Sequence, residues 1–222
     1  MKNLLFEAIL KVSLGILLVV SLIFLPAGTI YYFNGWLLIT ILFVPMFIAG
    51  IIMYKKNPEL LRKRLKSKEK ENGQSTLIKL SGFMFILGFI IAGLNFRFSW
   101  YILPKSVSII AAVLFLLGYA LYAEVLKENV YLSRIIEVSK EQKVIDTGLY
   151  SIIRHPMYTA TLLLFLSMPL ILGSIFSFIV FLVYPFIIVS RLKKEEDFLK
   201  QNLEGYNKYM QKVRYRLIPF IY

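Results

Sequence analysis

The sequence predicts an all-α fold: a polytopic integral membrane bundle of about six spans, the last two forming a short helical hairpin. Composition is the first reason. The chain is 58% hydrophobic and 15% aromatic, with mean hydropathy +0.70, and several apolar runs reach about 20 residues, the length a spanning helix needs. The period-2 alternation of an outer-membrane barrel is absent. The second reason is the stretch 159–190, which carries no charged residue and is punctuated by Pro169 and Gly173-Ser174. The third is charge: with six spans, 24 of the 26 Lys and Arg fall on one side, a strong positive-inside asymmetry.

The first span is expected at 12–30. Lys2 and Lys11 precede it, so a secretory signal is conceivable, but the run is long and another follows directly, which favours an uncleaved helix. An aromatic turn at 31–36 leads to a second span at 36–54. In the charged segment 55–76, Asn57-Pro58-Glu59 reads as a helix start, with Asn57 as N-cap and Pro58 at N1. Leu60, Leu61 and Leu65 then share a face among Arg62, Lys63, Arg64 and Lys66, a pattern suited to a helix lying on headgroups. Residues 68–76 read as a flexible loop. The third and fourth spans are expected at 77–95 and 106–126, joined by a loop holding Arg97, Trp100, Tyr101, Pro104 and Lys105.

Residues 127–153 are polar and partly helical. Residues 157–190 number 34, roughly 51 Å as one helix, against a hydrocarbon core of about 30 Å. A fold-back near Gly173 returns both ends to one face. The tail reads as a charged helix over 194–211, interrupted by Gly205, and turns apolar again at 214–222. The chain is expected to be one membrane domain, with four spans in 1–126 and the catalytic region in 127–222.

With no cysteine, thiolate chemistry is excluded, and one histidine excludes a multi-His metal site. No metal and no nucleic acid are expected. The net charge of +13 is read as basic loops facing the cytosol and anionic headgroups. Both termini are then cytosolic, in a multi-pass protein of the cell membrane.

The polar chemistry gathers at the two ends of the hairpin. Arg154-His155-Pro156 reads as a helix start, with Pro156 at N1 and His155 as cap. Such a start offers free N–H groups to an anion; the plainer reading is a basic interface anchor. Arg191 and Glu195 are spaced i, i+4 and share a face, with Glu196 adjacent. Glu195 suits a cation or a pair of ribose hydroxyls and Arg191 an anion; the plainer reading is a solvated acidic turn. Tyr150 and Tyr158 flank the corner as belt residues or as walls of a flat pocket. Glu124 and Glu128 are read as interface residues, and Tyr206 and Tyr209 as packing.

The run Thr147-Gly-Leu-Tyr-Ser-Ile-Ile-Arg-His-Pro-Met-Tyr158, then an apolar hairpin, Glu195-Glu-x-x-Leu199, Tyr206-x-x-Tyr209, Val213 and Pro219, resembles the isoprenylcysteine carboxyl methyltransferase family. That family belongs to a wider group with the membrane phospholipid methyltransferases. Asn57-Pro-Glu-Leu-Leu-x-x-Arg64 also resembles bacterial members. The resemblance implies a membrane methyltransferase that uses S-adenosylmethionine. It implies cofactor contacts from Tyr150, His155, Pro156, Met157, Tyr158 and Glu195, with Glu196 beside it, and from Val144 and Ile145 in the stretch 142–145. It implies a substrate contact from Arg191, so the catalytic candidates are Arg154, Arg191 and Glu195. The acceptor is expected to be lipid-like or isoprenoid and to arrive through the bilayer; no protein partner is implied. The chain departs from the pattern in lacking any Gly-x-Gly, which phosphatidylethanolamine methyltransferases use. This argues against that substrate.

A carboxylate acceptor is anionic at pH 7 and needs only to be held, by Arg154 or Arg191. An amine must lose a proton, and Glu195 or Glu196 is the candidate base. A membrane reductase of the sterol-reductase type using NADPH, and a non-enzymatic lipid-binding protein, are the competing classes.

Overall fold

The structure is a computed structural model and describes residues 2–65, 72–132, 138 and 142–222. Its framework is helical: α1 (Lys2–Ala27), α2 (Phe33–Lys56), α3 (Pro58–Leu65), α4 (Asn72–Phe98), α5 (Lys105–Glu128), α6 (Pro156–Ile171), α7 (Ile175–Phe181), α8 (Tyr184–Asn202) and α9 (Tyr206–Lys212). No strand forms among the described residues; one isolated bridge joins Ile102 and Ser174. Five stretches are long and apolar enough to cross a membrane: α1, α2, α4, α5 and the combined α7–α8. The shorter apolar helix α6 is the sixth. The polytopic bundle that the sequence predicts is the fold observed.

The hairpin turns where the sequence expects it. Gly173 has φ +71, a left-handed backbone that a side chain would strain. Pro169 lies inside α6, not in the turn; the reversal is made by Leu172, Gly173 and Ser174. Sixteen residues make α6 roughly 24 Å long, less than the core of about 30 Å. Its far end therefore falls short of the opposite headgroups, and its last carbonyls need partners from protein. They have them. Tyr32 donates its hydroxyl to Leu172 O. Leu103 N donates to Gly173 O at 2.9 Å, and Ser108 Oγ to Leu170 O at 3.2 Å.

The returning arm is broken between α7 and α8. Pro185 lacks an N–H and its ring would press on the carbonyl four residues back, that of Phe181, where α7 ends. Phe181 instead enters the core, its ring 5.2 Å from Phe85, while Tyr184 packs 4.9 Å from Phe165.

Element ends differ from expectation in four places. Helix α1 starts at Lys2 rather than 12, steadied by Glu7–Lys11 at 2.6 Å and by Lys11 Nζ donating to Leu65 O. The turn before α2 lies at Gly28–Tyr32, and Phe33 to Trp36 already belong to the helix. Residues 72–76 are the first turn of α4, not loop, because extending a nucleated helix is cheap even through polar residues; residues 68–71 lie outside the described residues. Of 127–153, residues 127 and 128 end α5, and the rest of the described helix is one 3-10 turn, Gly148–Ser151. The start of α3 is as expected: Asn57 Oδ1 accepts from Leu60 N at 3.1 Å.

Helices α1 and α4 touch backbone to backbone at Gly93. A Cβ there would sit 2.5 Å from Ile23 O and 3.0 Å from Ala27 N. Gly93→Val is expected to force the helices apart and cost about 1–3 kcal/mol, read as a lower unfolding midpoint in detergent. An unchanged midpoint would mean that the pair slides freely.

Candidate active site

The hairpin brings its two polar ends together, and the tail closes over them. Arg154 N and His155 N, which precede α6, donate to Tyr215 O and Arg216 O, each at 2.9 Å. Thr159 Oγ1 donates to Leu217 O at 2.7 Å. Residues 213–217 therefore lie as a strap across the start of α6.

Under the strap is Glu196, 1% exposed. Its Oε1 accepts from Arg154 Nε at 2.8 Å and lies 3.2 Å from His155 Nε2; its Oε2 accepts from Arg216 Nε at 3.0 Å. Arg154 Nη1 also donates to Val213 O and Arg214 O, each at 2.8 Å. A charge this buried is tolerable only when fully partnered, and Glu196 is. Burial disfavours the charge on Arg216, but the Glu196 carboxylate outweighs it and raises the pKa of the guanidinium.

Beside this knot opens a narrow cleft holding about 860 Å³ of empty space, mouth included. One wall is the 3-10 turn. Gly148 has φ +50, and a Cβ there would collide with the Glu128 carboxylate. That carboxylate accepts from Leu149 N at 3.0 and 3.1 Å. The turn holds Tyr150, whose hydroxyl accepts from Asn129 Nδ2 at 3.0 Å and whose carbonyl accepts from Tyr209 Oη at 2.7 Å. Burial raises the phenol pKa of Tyr150, Tyr206 and Tyr209 well above the usual value. All three are neutral donors at physiological pH. The segment carrying Val144 and Ile145 is fastened to the tail by Lys212 Nζ donating to Asp146 Oδ2 at 2.8 Å. That bond, with the lysine charge, lowers the Asp146 pKa.

The floor is a bridge between the hairpin's two arms. Tyr158, on α6, donates its hydroxyl to Glu195 Oε2 and accepts from Arg191 Nε at 3.1 Å, both on α8. Behind it lies a second cavity, lined by Leu77 and Ser81 of α4, Thr161 of α6, Ile187 and Ile188 of α8, and Arg64 and Tyr122. Arg64 stacks on the Tyr122 ring, 5.4 Å from its centroid, and donates to its hydroxyl. Met157, Tyr158 and Arg191 line both cavities and form the partition between them.

Of the residues expected at the site, Val144, Ile145, Tyr150, Arg154, His155, Met157, Tyr158, Arg191 and Glu195 line the cleft. Pro156 and Glu196 do not line the cleft. Pro156 is the buried N1 residue of α6, and Glu196 is turned inward to the arginines. His155 caps α6 by backbone alone, with no side-chain cap bond, since its ring faces Glu196. Glu124 pairs on the surface with Lys127 at 2.8 Å. Seven cleft residues were not expected: Asn129, Tyr131, Leu132, Leu199, Leu203, Tyr206 and Tyr209. The Tyr-x-x-Tyr spacing was a signal for the tyrosines. Nothing local in the sequence marked Arg216.

Residues 107–205 match the family model described as phospholipid methyltransferase. No curated protein matches the chain significantly. The matched stretch begins in α5 and runs to Gly205, and it contains the Arg154-His155-Pro156 corner, both arms of the hairpin and the paired glutamates. Those elements build the cleft and its partition. Over this stretch the chain is similar to the phospholipid methyltransferase family, the group that also holds the isoprenylcysteine methyltransferases.

Proposed function

We propose that this protein is an S-adenosylmethionine-dependent methyltransferase acting on a lipid-like carboxylate at the cytosolic membrane interface. One observation carries the reading: two cavities meet at Met157, Tyr158 and Arg191. The cleft opens among charged and polar segments, where a water-soluble cofactor enters. The other cavity is walled by spanning helices, where a lipid tail fits.

The cleft's own groups suit the cofactor. Glu195 suits the ribose hydroxyls or the ammonium of the methionine part, and Arg191 or Arg154 its carboxylate. Val144, Leu199 and Leu203 offer apolar walls to a flat base. Bound there, S-adenosylmethionine supplies an activated methyl group, and a carboxylate that accepts it has no proton to lose. The protein's task is then alignment and exclusion of water. Tyr158 ties Arg191 and Glu195 into one rigid unit, so both groups are held by the same bridge. Arg191, on the partition, is in reach of an acceptor carboxylate. The sequence's division of its basic residues, 24 to 2 when six spans are assumed, supports a cytosolic mouth.

Titration of the purified protein with S-adenosylhomocysteine and with NADPH tests the reading. The first is expected to bind and the second not. Glu195→Gln is expected to weaken S-adenosylhomocysteine binding by roughly tenfold or more, the loss of one charged hydrogen bond, with the unfolding midpoint unchanged. Binding of NADPH alone would favour a reductase, and binding of neither a non-enzymatic lipid-binding role.

A further inference from the structure

One polar atom in the cleft wall is not accounted for by the fold. Tyr206 opens α9 directly after Gly205, whose φ of +84 swings the chain into the helix. The residue is 4% exposed and packs with Leu203, Tyr209, Val144 and Leu199. Its hydroxyl is buried and has no hydrogen-bond partner among the described residues. Its neighbour Tyr209, equally buried, spends its hydroxyl on Tyr150 O. Buried hydroxyls are nearly always partnered, so one left unpaired in the wall of a cleft points to a ligand.

The character of the surroundings narrows what that ligand presents. The charged side chains of the cleft, Arg154, Arg191 and Glu195, suit a zwitterion. Tyr206 stands among Val144, Leu199 and Leu203, where a flat heteroaromatic ring packs well. Arg154 and Glu195 are still within electrostatic reach of the phenol, so the hydroxyl lies where the apolar wall meets the charged one. A neutral phenol there can donate to a ring nitrogen or accept from an exocyclic amine.

We propose that the Tyr206 hydroxyl hydrogen-bonds the polar edge of the adenine of the bound cofactor and so sets the base specificity of the cleft. This rests on the reading that the cleft holds S-adenosylmethionine. A site built to pair with one polar atom rejects analogues that lack it, because the buried group is then left without a partner.

The test is calorimetric titration of the full chain in detergent. The ligands are S-adenosylhomocysteine and four analogues, each lacking one polar group of the base: 1-deaza, 3-deaza, 7-deaza and 6-deamino. The parent protein is expected to bind one of the four about tenfold more weakly than S-adenosylhomocysteine. Tyr206→Phe is expected to lose about the same factor toward S-adenosylhomocysteine and nothing further toward that analogue. Its unliganded unfolding midpoint should be unchanged or higher. Equal losses toward all five ligands would reduce Tyr206 to packing and overturn the proposal, as would unchanged binding of every ligand. The parent alone also decides the matter: if it binds all five equally, no base edge is read. If it binds none of them, the cofactor reading falls and takes this one with it. Binding of S-adenosylhomocysteine that Tyr206→Phe leaves intact overturns only the present proposal.

Discussion

Glu196→Ala is expected to collapse the polar end of the protein. The substitution leaves Arg154, 6% exposed, without its carboxylate and takes the same partner from His155 and Arg216. Removing one member of a buried ion cluster costs about 3–5 kcal/mol, because the charge left behind cannot be rehydrated. That is a large part of a typical domain's stability of about 5–15 kcal/mol. The loss is also directional. Arg154 ties the strap through Val213 O and Arg214 O, so once the guanidinium seeks water the strap is expected to lift. Protease cleavage within 206–216 should then rise sharply, together with a fall in the unfolding midpoint. Glu196→Gln keeps the shape and part of the hydrogen bonding and should lose less. If Glu196→Ala keeps the parental midpoint and protease resistance, the cluster is not what holds the tail.

Tyr158→Phe is expected to separate catalysis from stability. The ring remains in its buried place between the arms. What goes is the hydroxyl that joins Arg191 Nε to Glu195. Without it the two charged groups lose their common reference. A misplacement of about 1 Å costs on the order of a hundredfold in rate. Methyl transfer from labelled S-adenosylmethionine into a membrane lipid extract should therefore fall by about that factor. The affinity for S-adenosylhomocysteine and the unfolding midpoint should move little by comparison. A parental transfer rate would show that the bridge is incidental.

The two variants differ because adjacent glutamates on one helix do different work. Glu195 and Glu196 are about 100° apart around α8. One faces the cleft and Tyr158; the other faces the strap. From the sequence they read as a pair, both offered to the cofactor, since nothing in their order says which side the tail will cover. The same limit hid Arg216. Its partner lies 20 residues earlier on α8, and only the path of residues 213–217 over α6 brings them together. Tyr206 and Tyr209 were visible as a spacing but read as packing. Tyr209 does hold the 3-10 turn in place, while the hydroxyl of Tyr206 is left over.

What was legible follows from composition and local rules. An apolar run of known length must be a helix in lipid, because no water is present to satisfy an open backbone. A charge-free stretch too long for one crossing must turn back, and glycine marks where. A proline after His155 sets the start of α6, and basic residues sort to one side. Those rules act over a few residues, or on whole spans, and they do not need to know what packs on what. The sequence by itself thus determined the bundle, the U-turn at Gly173 and the meeting of the histidine corner with the glutamates. Only the tertiary structure decided that Glu196 is a structural anchor and Glu195 a cleft residue. It alone placed Met157, Tyr158 and Arg191 between the cleft and the cavity behind it. The reason is that burial and pairing of a charge depend on atoms brought from distant parts of the chain, in a direction that spacing along one helix does not specify.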